Sequence, residues 1–505
     1  MKPVGNTISV CPVCFQEGKI NKVEAQLIED DRKIWMLKKC LTHGSFKELY
    51  FNDEEIYNKW MTHKVTGSPM AEIKTSLFND SPLYATHLSQ PMLVNLLVTN
   101  RDNLRNPDCS QNAWDSGYVY EPSIEQLNNL LLQVKTWSPV ESYAVQIIGG
   151  EPTLRADLFD IIRNAKKFGY SHIQIQTNGI KLAEDTDYCQ KFKDMGIDTI
   201  YLDFNGVTLQ TNPLLTYHKK ALENLRKVNL NVVLVPVLIG GKNDYESGKI
   251  VRFALDHLDV VRGIHFIPMT FYGKAMNIND EDRQRQRVTF IQMISPIEKE
   301  FTGMISRYDF YPIPLMDPLL QLLEMTTREP QVRFTAHPCC GASTLMYMKD
   351  GKPLPVARFL NVETILQFIH DNKKKKGPML RLRILYAFTK NLDSFIVKEK
   401  APPGFDLRQI VRETATMGPQ YAMRDFNHKT LFIGTMLYQD VWNLDIDQIQ
   451  RCVIHYITPE GIIPYCLYHG LGYDEKILRK YSMTIRDWEE KTGQHLVDDL
   501  RKDVT

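Results

Sequence analysis

The chain has 505 residues, 43% hydrophobic and 24% charged, enough to bury a large core and to divide into roughly two to four domains. Lys and Arg total 61 against 60 Asp and Glu, so no global field recruits nucleic acid or an anionic membrane. No run approaches the roughly 18 apolar residues of a membrane span, and Met1-Lys2-Pro3-Val4-Gly5 leads into polar sequence without an apolar signal core, which predicts a cytoplasmic protein with no transmembrane segment. Nine cysteines are too few for a disulfide scaffold in a chain this long.

From the amino end, Ile8-Ser9-Val10-Cys11-Pro12-Val13-Cys14 leads into alternating strand-like sequence, then Lys39-Cys40-Leu41-Thr42-His43-Gly44 and a strand ending at Tyr50-Phe51. Each of these tight turns points two side chains at one position, so Cys11, Cys14, Cys40 and His43 are expected to surround a tetrahedral ion. Zinc and a rubredoxin-like iron are the two candidates, because a thiolate-rich tetrahedral site accepts both. Four protein ligands leave no open position, which makes the role structural, and a module of residues 1–65 folds together with its metal. Tyr57, Trp60 and Met61 fall at helical spacing, and residues 66–90 read as a linker.

From Leu93 to about Tyr272, apolar runs at 93–98, 144–148, 172–176, 198–202, 231–238 and 263–267 alternate with amphipathic segments such as 123–136, 156–168, 185–195 and 216–228. This βα alternation predicts an α/β fold: a parallel sheet with helices outside and ligands at the carboxyl ends of the strands. That rule gathers the 99–109 loop, Gly149 to Thr153, Thr177-Asn178-Gly179 and Asp203 to Gly206 around one mouth. Glycines at 149 and 150 permit close backbone approach to a ligand, and Glu151 beside them can receive an ammonium group.

Two stretches carry a resemblance. Thr99-Asn100-Arg101-Asp102-Asn103-Leu104-Arg105-Asn106-Pro107-Asp108-Cys109 is similar to T-N-R-C-N-L-R-C-x-x-C, and Gly149-Gly150-Glu151-Pro152-Thr153 to G-G-E-P-T, both signatures of radical S-adenosylmethionine (SAM) enzymes. The resemblance implies a partial (β/α)6 barrel over residues 91–277, with SAM at Gly149, Gly150, Glu151, Pro152, Asn178 and Asp203. It also implies a [4Fe-4S] cluster held by three cysteines, but those positions read Asp102, Asn106 and Cys109. A hard oxygen donor and a neutral amide replace thiolate poorly, so the usual cluster is not expected to form. Cys189, in the helix-like 185–195 segment, is expected to be a packed thiol.

The second half opens with an amphipathic 280–300 segment and Tyr308-Asp309-Phe310-Tyr311-Pro312, then reaches His337-Pro338-Cys339-Cys340-Gly341, and much later Cys452 and Cys466. With these features, and with Gly117-Tyr118-Val119-Tyr120-Glu121-Pro122 and Arg451-Cys452-Val453-Ile454-His455-Tyr456, nearly the whole chain resembles the archaeal tetraether lipid synthases and the related pterin-methylating radical SAM proteins. The resemblance implies a C-terminal SPASM/twitch-like α+β domain over 278–505. Cys340, Cys452 and Cys466, with Cys339, are the candidates for an auxiliary [4Fe-4S] cluster there, against ordinary buried thiols. Lys373 to Lys376 and Arg381-Leu382-Arg383 read either as a solvated loop entering a helix or as a contact for anionic headgroups or a protein partner.

The functional expectation is a protein of this family that has lost SAM cleavage and binds SAM, a lipid or a pterin-like ligand as a pseudoenzyme or a subunit of a larger complex. The alternative is an active enzyme, coupling lipid alkyl chains or methylating by a radical route, with its cluster held atypically. A third reading is an interaction scaffold that binds no SAM. None of the three involves nucleic acid.

Overall fold

A computed structural model describes every residue except 66–87, 105–111, 137–140, 198, 328–332, 374, 376–378, 404, 418–425, 427 and 502–505. The first four strands, β1 (Lys2–Val10), β2 (Lys22–Asp30), β3 (Lys33–Cys40) and β4 (Gly44–Phe51), form an antiparallel meander in chain order. Asp31 and Arg32, the two residues between β2 and β3, both have positive φ (52° and 57°), the geometry of a two-residue hairpin turn whose twist matches its strands.

The large sheet has six parallel strands where the apolar runs predict them: β5 (Leu93–Thr99), β6 (Ala144–Gly149), β7 (His172–Thr177), β8 (Thr199–Asp203), β9 (Asn231–Val235) and β10 (Val261–Pro268). The run expected at 231–238 ends as β9 at Val235, and Val237–Leu238 pairs separately beyond Pro236. Proline has no N–H to continue a ladder.

Helices pack on the outer face because their apolar residues recur at helical spacing. Ile124–Lys135 starts with a Ser123/Gln126 capping box and buries Leu127, Leu130, Leu131 and Val134, and Leu158–Lys167 buries Leu158, Ile161, Ile162 and Ala165. Against them β5 turns Val94, Leu96 and Val98, all fully buried. The alternate residues of the central strands, among them Gln146, Ile148, Gln176, Tyr201 and Asp203, face the concave side and stay partly exposed. A sheet covered on both faces would bury both sets; here the concave face is only partly covered, with Asn95 and Gln174 on it buried and the residues just named partly exposed, and it bounds the lumen.

The C-terminal half joins this same sheet. β12 (Thr430–Met436) pairs parallel with β10, and β13 (Ile454–Thr458) pairs parallel with β5. β11 (Gly341–Lys349) and β14 (Gly461–Pro464) are the next antiparallel neighbours of β12 and β13, and Tyr311–Pro312 and Lys352–Pro355 pair in turn with β11. Both flanks of the six-strand core are therefore covered by strands that lie far along the chain.

The meander docks on the barrel through packing and buried charge. Trp60, in the helix Glu54–Met61, stacks edge-on against Phe290 at 4.7 Å and donates its indole N–H to the Phe310 carbonyl. Glu48 of β4 bridges Arg283 (3.0 Å) and Arg287 (3.1 Å), and Arg287 continues to Asp440 (3.0 Å). Lys38 of β3 donates to the carbonyls of Val10 and Val441, and its burial lowers its pKa to about 8. No helix among the described residues is long and apolar enough to cross a membrane.

Candidate metal centre and ligand-binding mouth

Cys11 caps the short helix Pro12–Gln16, so its sulfur accepts the Cys14 N–H and turns toward the Cys14 side chain. The turn between β3 and β4 brings Cys40 and His43 to the same point. Cys14 Sγ lies 3.9 Å from Cys40 Sγ and 3.3 Å from His43 Nδ1, which is 3.6 Å from Cys11 Sγ and 3.8 Å from Cys40 Sγ. A tetrahedral ion with metal–sulfur bonds of about 2.3 Å has corners about 3.8 Å apart. The four ligands predicted from spacing thus form one site whose dimensions fit zinc or iron.

Groups around the site orient these ligands. Glu17 stands 3.3 Å from His43 Nε2, which leaves Nδ1 for the metal, and Asn21 Nδ2 donates to the sulfurs of Cys14 and Cys40 at 3.5 Å. The backbone N–H groups of His43 and Thr42 bring the Cys40 thiol down to about 6, into the thiolate form that binds metal.

At the carboxyl ends of the barrel strands, the two glycines serve a close approach within the protein. Gly150 N–H donates to the Thr99 carbonyl and Glu151 N–H to the Arg101 carbonyl. A β-carbon at 149 would meet Thr99 O at 2.6 Å, and one at 150 would meet Arg101 O at 2.2 Å. The glycines therefore seat the turn on the 99–101 backbone. Pro152 begins a single turn of 3-10 helix capped by Glu151.

Glu151 braces neighbouring turns. Its carboxylate accepts from Thr153 N and Oγ1, Thr177 Oγ1 and Asn178 N, at 2.6 to 2.9 Å. Burial pushes its pKa up, and these donors pull against that. The Asn178 amide bonds Asn103 Oδ1 at 2.7 Å and accepts from Ile180 N. Asp203 is the candidate that turns an oxygen into the lumen: Oδ1 accepts from Gln176 at 2.9 Å, and Gln176 in turn accepts from Gln146 at 2.6 Å. Burial raises Asp203 to about 7.

Asp102 accepts the Leu104 N–H at 2.9 Å, which turns it into its own loop. Burial, together with repulsion from Glu151 and Asp203, lifts its pKa to about 7, so it is half-protonated near neutrality. Asn106 and Cys109 lie outside the described residues. As a donor set, a carboxyl engaged by its own loop, an amide and one thiol do not fit a [4Fe-4S] cluster, which needs soft thiolates. Cys189 is fully buried in the helix Thr186–Asp194 with its thiol against the Leu182 carbonyl, as expected of a packing residue.

The C-terminal cysteines Cys339, Cys340, Cys452 and Cys466 are all buried. Burial drives the Cys340 thiol well above its usual range, and the charges of Cys452, Cys466 and Cys339 add to the effect; among the described residues only the N-terminal tetrad brings its ligand atoms within 4.8 Å of one another. Cys466 accepts from Gln439 N, and Cys452 contacts the Ile454 carbonyl. Cys339 also lines a pocket with Tyr50 and Gln448 and feels Asp445.

The sequence reading missed the clasp over the mouth. Arg101 pairs with Glu121 at 2.8 Å and Asp499 at 2.9 Å and lies over the Trp488 ring, while Arg501 N–H donates to the Asn103 carbonyl at 2.9 Å. The only sequence signal was Arg101 itself, within the T-N-R triplet. Its partners Asp499 and Trp488 lie nearly four hundred residues away.

Residues 3–52 match the family described as the HMPTM N-terminal zinc ribbon domain, and residues 107–254 match the radical SAM superfamily. The second match begins beyond Asp102 and Asn106. Together with the full-length relative described next, the fold and these matches define the class: the chain belongs to the radical SAM family, with an N-terminal zinc ribbon.

The chain is 34% identical over 499 residues to the 7,8-dihydro-6-hydroxymethylpterin dimethyltransferase of Methanocaldococcus jannaschii, covering 96% of each. It is 28% identical over 234 residues to a probable GTP 3′,8-cyclase of Saccharolobus solfataricus, covering 44% of this chain and 70% of that one. Among solved structures, methylornithine synthase matches at 11% identity and TM-score 0.32, over 42% of this chain and 64% of that one. A radical SAM methyltransferase from Sphaerobacter thermophilus matches at 9% and TM-score 0.29, over 55% and 74%. Structural likeness this loose carries no argument of its own.

Proposed function

We propose that this chain binds SAM at the mouth of the barrel and a pterin-like molecule in its lumen without itself cleaving SAM, acting as a pseudoenzyme or a subunit of a larger assembly. The observation that carries this reading is Asp102: it stands where the family places a cluster cysteine and spends its carboxylate on the Leu104 N–H. Without the cluster no electron reaches the sulfonium, and side chains cannot supply that chemistry. The full-length pterin dimethyltransferase relative supports the ligand class.

A second reading keeps the activity. That relative covers 96% of the chain, and the buried Cys340 thiol feels the charges of Cys452 and Cys466, the candidate auxiliary ligands. On this reading the chain is a radical methylase, or couples lipid alkyl chains, with an atypically held cluster. Either protein has a candidate contact for anionic headgroups or a partner near residues 373–383, where the helix Leu380–Asn391 exposes Leu382 and Tyr386; Lys374 and Lys376 lie outside the described residues.

Anaerobic reconstitution followed by assay of iron, sulfide and zinc, with SAM binding and 5′-deoxyadenosine formation measured on the same sample, separates the readings. SAM binding with metal confined to the ribbon and the C-terminal thiols, and no cleavage, is the expected result. Formation of 5′-deoxyadenosine, lost on Cys109→Ala, overturns it in favour of the active enzyme.

A further inference from the structure

The sheet register places three amides side by side. Asn95 of β5 is level with Gln146 of β6, which is level with Gln174 of β7. Register partners in a parallel sheet share a face, and Val94, Leu96, Val145, Ile147, Ile173 and Ile175 occupy the helix-facing side. The amides therefore form one layer on the lumen wall, about two residue pairs below the mouth. Tyr456 of β13 is level with Asn95, but its ring is already stacked on Tyr468 at 4.0 Å.

This layer is incompletely satisfied. Asn95 is 3% exposed and Gln174 7%, yet Asn95 Oδ1 and Gln174 Oε1 are buried without a hydrogen-bond donor. Across the lumen, His265 Nε2 on β10 is buried and unpaired as well. Leaving a buried acceptor unmade costs on the order of 1–3 kcal/mol, and native proteins rarely leave such atoms orphaned. Gln146 is already committed to Gln176, and so to Asp203. The wall thus offers two acceptor oxygens and, higher up, a carboxyl.

We infer that Asn95 and Gln174 are specificity-determining residues whose free oxygens accept hydrogen bonds from ring or amino N–H groups of a flat heterocycle in the lumen. The inference rests on the proposal that a small ligand enters this lumen, and it selects among occupants. An alkyl chain has no donor for these oxygens and would leave them unpaired and dehydrated, the costliest outcome for a buried amide. A pterin-type ring presents N–H and NH2 donors along one edge.

The test is equilibrium binding of 6-hydroxymethylpterin, read by its fluorescence, to the full chain with and without SAM, for wild type, Asn95→Leu and Gln174→Leu. SAM affinity, melting temperature and ribbon metal content on the same samples show whether each variant is folded. Each substitution is expected to weaken pterin binding about tenfold, the scale of one lost buried hydrogen bond, with SAM affinity unchanged and with phosphatidylglycerol vesicles failing to compete. Unchanged pterin affinity in both folded variants overturns the inference, because the oxygens then hold only water. Failure of the wild type to bind pterin, or displacement of pterin by the vesicles, overturns it too. SAM binding is read separately: its loss alongside variant-sensitive pterin binding removes the SAM assignment and leaves the inference standing.

Discussion

Gly150 lies so close to Arg101 that a β-carbon on it would stand 2.2 Å from the Arg101 carbonyl oxygen. Backbone cannot yield as a flexible side chain does, so Gly150→Ala is expected to force the turn away from the 99–101 strand end. The cost should be about 1–3 kcal/mol, typical of overpacking, read as a lower urea midpoint with unchanged slope. SAM affinity should fall in parallel, because Asp102 and Asn103 hang from the displaced segment.

Cys14→Ser removes one corner of the N-terminal tetrahedron, whose edges measure 3.3 to 3.9 Å. The variant is expected to lose one metal ion per chain and to gain protease cleavage between residues 11 and 44. Metal supplies much of the folding free energy of so small a module. The barrel is expected to lose part of its packing too, because Ala25, Leu27, Ile34, Met36 and Phe51 of the meander share one apolar core with it.

Cys466→Ser and Cys339→Ser should behave differently although both remove buried cysteines. The Cys466 thiol feels the charge of Cys452, whereas Cys339 bonds Tyr50 and feels Asp445. After anaerobic reconstitution, iron and sulfide should fall in the first variant and stay at the wild-type level in the second. Equal loss in both would place Cys339 among the ligands.

Asp203 sets a pH dependence. A carboxyl with a folded pKa of about 7, above its unfolded value of about 3.9, keeps its proton longer in the folded chain. Its contribution to stability is full below the unfolded value and is lost as pH rises through 7. Asp203→Asn, which stays neutral and keeps an acceptor for Gln176, is therefore expected to gain stability over wild type as pH rises from 5 to 8. The gain should be on the order of a few kcal/mol at pH 8; an equal wild-type-to-variant difference at both pH values would mean that Asp203 titrates normally.

Much of this architecture is legible along the chain because it is local. The C-x-x-C and C-x-x-H turns each fix two ligands within four residues, so their convergence follows from two short loops and one meander. Six strands follow from apolar runs of ordinary strand length, with bounds shifted by one or two residues and one run cut at Pro236. The substitutions Asp102 and Asn106 are readable from the motif alone.

The sequence by itself determined the metal tetrad, the βα core and the absence of two cluster thiolates, since each depends on residues a few positions apart. Only the tertiary structure decided that β12 and β13 extend the core at its two edges, because an unpaired strand edge offers the same N–H and C=O groups to whatever strand arrives. It likewise decided that Cys452 and Cys466 come within electrostatic reach of Cys340, and that Arg101 is clasped by Asp499. The amide layer belongs with these. Asn95, Gln146 and Gln174 become neighbours through strand register alone, a relation among segments about fifty and thirty residues apart that no local periodicity encodes.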